Sequence, residues 1–182
     1  MVFERTRLIF WTGRKHSGKT TGAARLVKAA RAKGYCIAGL LAPAVYHGST
    51  LTGFDAVDLQ SRQRTALARD NGSDDTTGRF DFLAEGLRLG NASLRAASTK
   101  SADLVVVDEF GPLEMNCQGW RQAVELLLQS SEAIILLVVR RELAEQVQHL
   151  YGNIASVRLA AAEAESIDTV ISILEGRRQQ VR

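Results

Sequence analysis

The chain has 182 residues, 46% of them hydrophobic and 24% charged, enough for one domain with its own core and ordinary for a globular protein. A formal net charge of +3 leaves the whole-chain field weak, which argues against nucleic-acid binding driven by bulk electrostatics. The two cysteines, Cys36 and Cys117, lie far apart without CxxC spacing, so neither a disulfide framework nor a zinc site is expected. Cys36 stands in an apolar run and reads as a small core residue.

The first residues carry Glu4, Arg5 and Arg7 and have no apolar core of the kind a signal peptide needs. The longest apolar run, "AIILLVV", is too short to span a bilayer, so the expected compartment is the cytoplasm and no membrane partner is expected. Short apolar runs then alternate with helical patterns. That rhythm predicts an α/β fold with a mostly parallel central sheet flanked by helices. "RLIFWT", residues 7–12, reads as the first strand, and residues 19–33 as a helix with Ala23, Leu26, Val27 and Ala30 on one face, ended by Gly34. "YCIAGLLAP" is the next strand. "LTGFDAVDL" and "QRTALAR" read as two strands of a small antiparallel extension. "RDNGSDDTTGR" is polar and reads as a mobile loop. Helices over residues 83–97, 118–129, 143–149 and 162–174 are expected around the strands "LVVV", "AIILLVV" and "ASVRLA", with the C-terminal "GRRQQVR" a frayed, solvated end. In the second of these helices, Trp120, Val124 and Leu127 form a face for the sheet.

The segment Gly13, Arg14, Lys15, His16, Ser17, Gly18, Lys19, Thr20 meets every required position of G-x-x-x-x-G-K-[ST] and lies between a predicted strand and a predicted helix. The spacing has a physical reason. A polyphosphate is held by backbone N–H groups curled around it, and glycines let the backbone approach. The helix that follows begins with unpaired N–H groups and partial positive charge. Lys19 is placed to reach β- and γ-phosphate oxygens as a mobile cation. Thr20 offers a hydroxyl to Mg²⁺, and Thr21 a donor to a phosphate further back.

The second cue is "LVVVDE". A strand buried on both faces ends in Asp108 and Glu109, and ligands of open parallel sheets bind beyond the carboxyl ends of strands. Asp108 suits Mg²⁺, directly or through water. Glu109 beside it suits a water aimed at the γ-phosphate, which favours hydrolysis over binding alone. Gly111-Pro112 turn the chain, and Glu114 either supports the site or is simply exposed.

Together "GRKHSGKTT", "GLLAP", "TGFDAVDL", "GRFDF" and "VVVDEFGPLE" followed by "GW" resemble, in this order, the cancer-related nucleoside-triphosphatase family and its bacterial relatives. The likeness runs over residues 8–140, and its most specific stretch is the Asp-Glu-Phe-Gly-Pro-Leu-Glu run; Phe110 stands where the family usually has Ile. The resemblance implies a P-loop α/β fold that slowly hydrolyses nucleoside triphosphates with Mg²⁺ and without strict base choice. On that basis Gly13 to Thr20 hold the phosphates, and Asp108 and Glu109 are the metal-side and water-activating carboxylates.

A cation on the developing phosphate charge would assist hydrolysis. Arg140 and Arg141, at the end of "AIILLVVRR", could supply it, or could pair with Glu142 and Glu145; Arg79 is another candidate, as is a partner protein. His16, His47 and His149 read as exposed, and no guanine-specific signature appears, "TKSAD" having the wrong spacing. The expected substrate is therefore ATP, GTP or another nucleoside triphosphate. A small-molecule kinase and a nucleotide-switch adapter for a partner, for example in metal-cofactor assembly, are the alternatives.

Overall fold

The computed structural model describes residues 6–73, 79–99, 101–161 and 163–180. In chain order the elements are β1 (Leu8–Gly13), α1 (Lys19–Ala32), β2 (Ile37–Leu41), β3 (Ala44–His47), β4 (Thr50–Asp58), β5 (Arg64–Asp70), β6 (Phe80–Phe82), α2 (Ala84–Thr99), β7 (Leu104–Phe110), α3 (Pro112–Met115), α4 (Arg121–Ser130), β8 (Ile134–Arg140), α5 (Ala144–Leu150), β9 (Ser156–Ala160) and α6 (Ala164–Gln180). Among the described residues nine strands form one sheet, ordered β6-β5-β4-β2-β7-β8-β1-β9, with β3 paired to β4. From β2 to β9 neighbouring strands run parallel. From β2 through β4 and β5 to β6 they run antiparallel, as does β3 on β4.

The strands alternate between two packed layers, as pleating requires. Leu8, Phe10, Val105, Val107, Ile135 and Leu137 face a core shared with Leu94 of α2, Val124 and Leu127 of α4 and Val147 of α5. Ile9, Trp11, Val106, Leu136 and Val138 face the opposite core, with Leu26 and Val27 of α1 and Val170 and Leu174 of α6. Both faces of the central strands are covered, which is why these stretches read as continuous apolar runs. Trp120, Val124 and Leu127 are buried as their spacing predicted. No helix among the described residues is long and apolar enough to cross a membrane.

Several expectations need correction. Cys36 is exposed. It lies between the turn at Gly34 and the start of β2, where Tyr35 and Ile37 take the inward positions and Cys36 the outward one. The C-terminal run is not frayed through Gln180. α6 continues through it because Arg177 donates to Glu132 at 3.1 Å and Arg178 lies 4.8 Å over the Tyr35 ring. The antiparallel part gains β3 and β6 beyond the two expected strands. The polar loop is only partly described: its first two residues belong to β5, and residues 74–78 lie outside the described residues.

The turn after α1 is satisfied internally. The amide of Gly34 donates to Arg31 O and that of Tyr35 to Ala30 O, a Schellman pattern. At the other end of α1, the fully buried Trp11 donates its indole N–H to Lys19 O at 3.1 Å, tying β1 to the helix's first residue. Trp11→Phe removes this donor and is expected to lower stability by about 1–3 kcal/mol, read as a lower denaturation midpoint at unchanged m-value.

Candidate active site

The loop between β1 and α1 is shaped by its backbone. His16 and Gly18 take positive φ values of 61° and 78°, and the Ser17 amide donates to Arg14 O at 3.2 Å. A side chain at Gly13 would meet Ser17 Oγ at 2.4 Å, so this position has no room for one. Ser17 Oγ itself is buried without a hydrogen-bond partner, a polar atom the closed loop leaves unsatisfied. Arg14, Lys15, His16 and Thr21 are exposed around this turn. Lys19 is buried and folds back over the loop, its Nζ donating to Arg14 O at 2.9 Å.

The acidic strand end lies beside it. Asp108 is fully buried at the end of β7; its Oδ2 accepts the Ala42 amide at 2.9 Å and its Oδ1 the Glu109 amide at 3.0 Å. The Thr20 hydroxyl of α1 is near enough to the same carboxyl to pull its pKa down. Glu109 follows with φ 58°, in the left-handed region that a non-glycine residue occupies rarely, where the β7–β8 register shifts between Val107 and Phe110. That break in the strand turns Glu109 out of the sheet, and its Oε2 lies 3.9 Å from the Arg140 guanidinium at the end of β8. Arg140 in turn stands opposite Gly13 in the β1–β8 register.

The electrostatics record the same convergence. Burial lowers the Lys19 pKa most; Glu109 and Asp108 oppose that shift, while Arg140 adds to it. Burial, then Glu109, raises the Asp108 carboxyl to about 6, against the amides of Ala42 and Glu109 and the nearby Thr20 hydroxyl. The donor set suits a divalent ion of the Mg²⁺ type, which takes one or two protein oxygens and completes its shell with water and phosphate oxygens. Thr20 and Asp108 present those oxygens from neighbouring elements, α1 and β7. Among the described residues no cluster of three or more His, Cys, Asp or Glu could hold a metal by protein ligands alone.

Lys19, Thr20, Asp108, Glu109 and Arg140 thus come together at one sheet edge. Arg79 does not join them. It sits at the antiparallel edge, held by Asp70 at 2.6 Å and lying 5.4 Å over the Phe80 ring. Arg141 is exposed, and neither it nor Arg140 has a direct ion pair with Glu142 or Glu145. Glu114, expected as either support or surface, is buried with both oxygens engaged by backbone amides. Its Gly111 partner is a local one, a glutamate at the third position of α3 receiving the amide that precedes the helix, whereas the Trp120 amide reaches it only through the fold. A groove of about 400 Å³ lined by Arg88, Arg95 and Gln122 lies away from these residues and contains none of them.

Residues 8–171 match the family model described as NTPase. The chain belongs to the NTPase family. Nucleoside-triphosphatase THEP1 of Methanopyrus kandleri is 32% identical over 130 residues, covering 71% of this chain and 72% of that one. THEP1 of Thermococcus kodakarensis is 29% identical over 178 residues, covering 93% and 97%. Among solved structures, the human cancer-related nucleoside triphosphatase superposes with a TM-score of 0.70 at 22% identity, covering 93% of this chain and 96% of that one. This NTPase-family chain therefore shares a fold with that protein, and the family expected from its motifs is the family found.

Two raised carboxyl pKa values in this NTPase site make a statement about stability. Asp108 at about 6 and Glu114 at about 7 bind protons in the folded protein at a pH where unfolded carboxyls do not. Stability from these groups is present at low pH and lost as pH rises through the folded values. The metal-free protein is expected to melt at higher temperature at pH 5.5 than at pH 8, measured by calorimetry in matched ionic strength.

Proposed function

We propose that this chain, read as one nucleotide-binding domain acting in the cytoplasm, is an Mg²⁺-dependent nucleoside-triphosphate phosphohydrolase that converts NTP to NDP and phosphate with broad base choice. The observation that carries the reading is the meeting of Lys19 and Thr20 from α1 with Asp108 and Glu109 from β7, residues remote in sequence. Family membership supports the reaction class, and relatives named nucleoside-triphosphatase support the substrate class. The absence of a guanine-specific signature supports breadth.

In this reading the amides of residues 13–20 and the first turn of α1 receive the phosphates, with Ser17 Oγ gaining the partner it lacks. Lys19 leaves Arg14 O for the β- and γ-phosphate oxygens, and Thr21 faces a phosphate further back. Thr20 and Asp108 would hold Mg²⁺, which when bound neutralises phosphate charge and fixes the geometry of the terminal group. Glu109 orients a water for in-line attack on the γ-phosphorus and accepts its proton. Arg140, already beside Glu109, supplies the cation for charge developing on the transferred group.

Phosphate release from ATP, GTP, CTP and UTP with no added acceptor tests the reaction itself. Acceptor-dependent transfer would point to a kinase, and tight nucleotide retention with almost no turnover to a switch. Lys19→Ala is expected to abolish turnover mainly through lost nucleotide binding, measured with a fluorescent nucleotide. Glu109→Gln is expected to keep binding and slow kcat by roughly a hundredfold or more.

Arg140→Ala separates the arginine candidates. It is expected to lower kcat by about 10- to 1,000-fold with a small change in nucleotide affinity, while Arg79→Ala and Arg141→Ala stay near wild type. Wild-type kcat in Arg140→Ala would assign the cation elsewhere.

A further inference from the structure

Glu109 sits where the backbone is strained, and something must hold it there. The chain leaves β7 at Phe110, makes the single turn of α3, and enters α4 after Trp120. Glu114 lies at the centre of this excursion with 2% of its surface exposed. Its Oε2 accepts the Gly111 amide at 2.8 Å, two residues past Glu109, and its Oε1 accepts the Trp120 amide at 2.9 Å. One carboxylate thereby closes both ends of the loop.

Its surroundings have no room for alternatives. Gly119, at φ 56°, packs so closely that a methyl group there would meet Glu114 Oε1 at 2.1 Å. Trp120 anchors the far end of the loop in the core, 1% exposed. The charged and titratable groups that act on Glu114 or respond to it are Glu109 from β7 and Tyr151 beyond α5, and Arg121 of α4 donates to its backbone carbonyl at 3.2 Å. Among the described residues no cation pairs with the carboxylate, and burial raises it to about 7. A buried acid without a cationic partner lowers stability, and nothing in the packing requires an acid at this point except the two amides it receives.

We infer that Glu114 is a positioning residue for hydrolysis: by receiving the Gly111 and Trp120 amides it holds the segment after Glu109 so that the Glu109 carboxylate faces the attacking water. This rests on the proposed role of Glu109. Glu114 has no role in binding phosphate, because both its oxygens are engaged and it is not among the residues gathered around Lys19.

The test uses the full chain, phosphate release for kcat and KM, and a fluorescent ATP analogue for affinity. Glu114→Gln keeps the size but presents an NH₂ to one of the two amides. It is expected to lower kcat by about tenfold or more, with KM and analogue affinity within about twofold of wild type. In a Glu109→Gln background it should add less than about twofold, since it acts through the group already removed. Wild-type kcat in Glu114→Gln while Glu109→Gln is slow overturns the inference and leaves the proposed reaction standing. Equal loss of affinity and kcat also overturns it, as a general structural defect. Wild-type kcat in Glu109→Gln removes the reading beneath it. Should Glu114→Gln fail to fold, Glu114→Asp, which keeps the carboxylate but is one methylene too short to receive both amides, carries the same expectations.

Discussion

A fully buried carboxylate needs partners, and Asp108 accepts the Ala42 amide after β2 and the amide of its own neighbour Glu109, with the Thr20 hydroxyl of α1 near enough to help hold its pKa down. Each fixes a different relation. Ala42 ties the end of β2 to the end of β7, beyond their last paired residues. Thr20 brings the first turn of α1, and with it the phosphate loop, against the acidic strand end. The Glu109 bond shapes the next step of the backbone. If the carboxylate lost any of these partners, the lost partner and the buried charge would both be left unsatisfied, so the loop and the acidic pair stand or fall together.

The strand break at Glu109 follows from the same bond. The Glu109 amide turns in toward Asp108 Oδ1, φ becomes positive, and the side chain leaves the plane of β7 toward β8. A left-handed non-glycine residue at this point persists only because both sides are held. Asp108 holds it from before. From after, Phe110 is buried edge-on against Tyr151, and Glu114 closes the loop. Strain and proposed function coincide on one residue flanked by rigid anchors, which is the pattern a pre-positioned catalytic group needs.

What the sequence made legible was what depends on neighbours in the chain. Gly13 to Thr20 carry their chemistry at fixed spacing, and "LVVVDE" announces a buried strand with acids at its tip. The order of β1, β2, β7 and β8 could be read because each buries a contiguous apolar run, and α1 because its buried residues recur at helical spacing. The failures share a different cause. Three-residue β6 exists only as a partner of β5, and Cys36 faces outward because of the turn at Gly34 before it rather than the run it stands in. The last turns of α6 are held by Glu132 and Tyr35, more than forty residues away in the chain. Glu114 stayed open between support and surface, because the Trp120 amide that completes its burial reaches it only in the fold. Arg140 and Arg141 were indistinguishable in sequence; the end of β8 points one at Glu109 and leaves the other on a 3₁₀ turn.

The resting partners of the two cations bear on the order of events in the proposed reaction. Lys19 rests on a carbonyl of its own loop and Arg140 rests beside Glu109, so both cations are occupied by weaker partners than a polyphosphate. A nucleotide that draws Lys19 from Arg14 O and Arg140 from Glu109 exchanges one dipole and one long ion pair for charge-assisted bonds to phosphate oxygens. In the proposed reaction the same exchange frees the Glu109 carboxylate to face its water. In that reading Glu109 stays where its backbone places it, because Asp108 and Glu114 fix the peptide on either side of it. In the proposed reaction, activation of the water is thus coupled to occupancy of the phosphate loop through Arg140, and the coupling needs no change in the sheet.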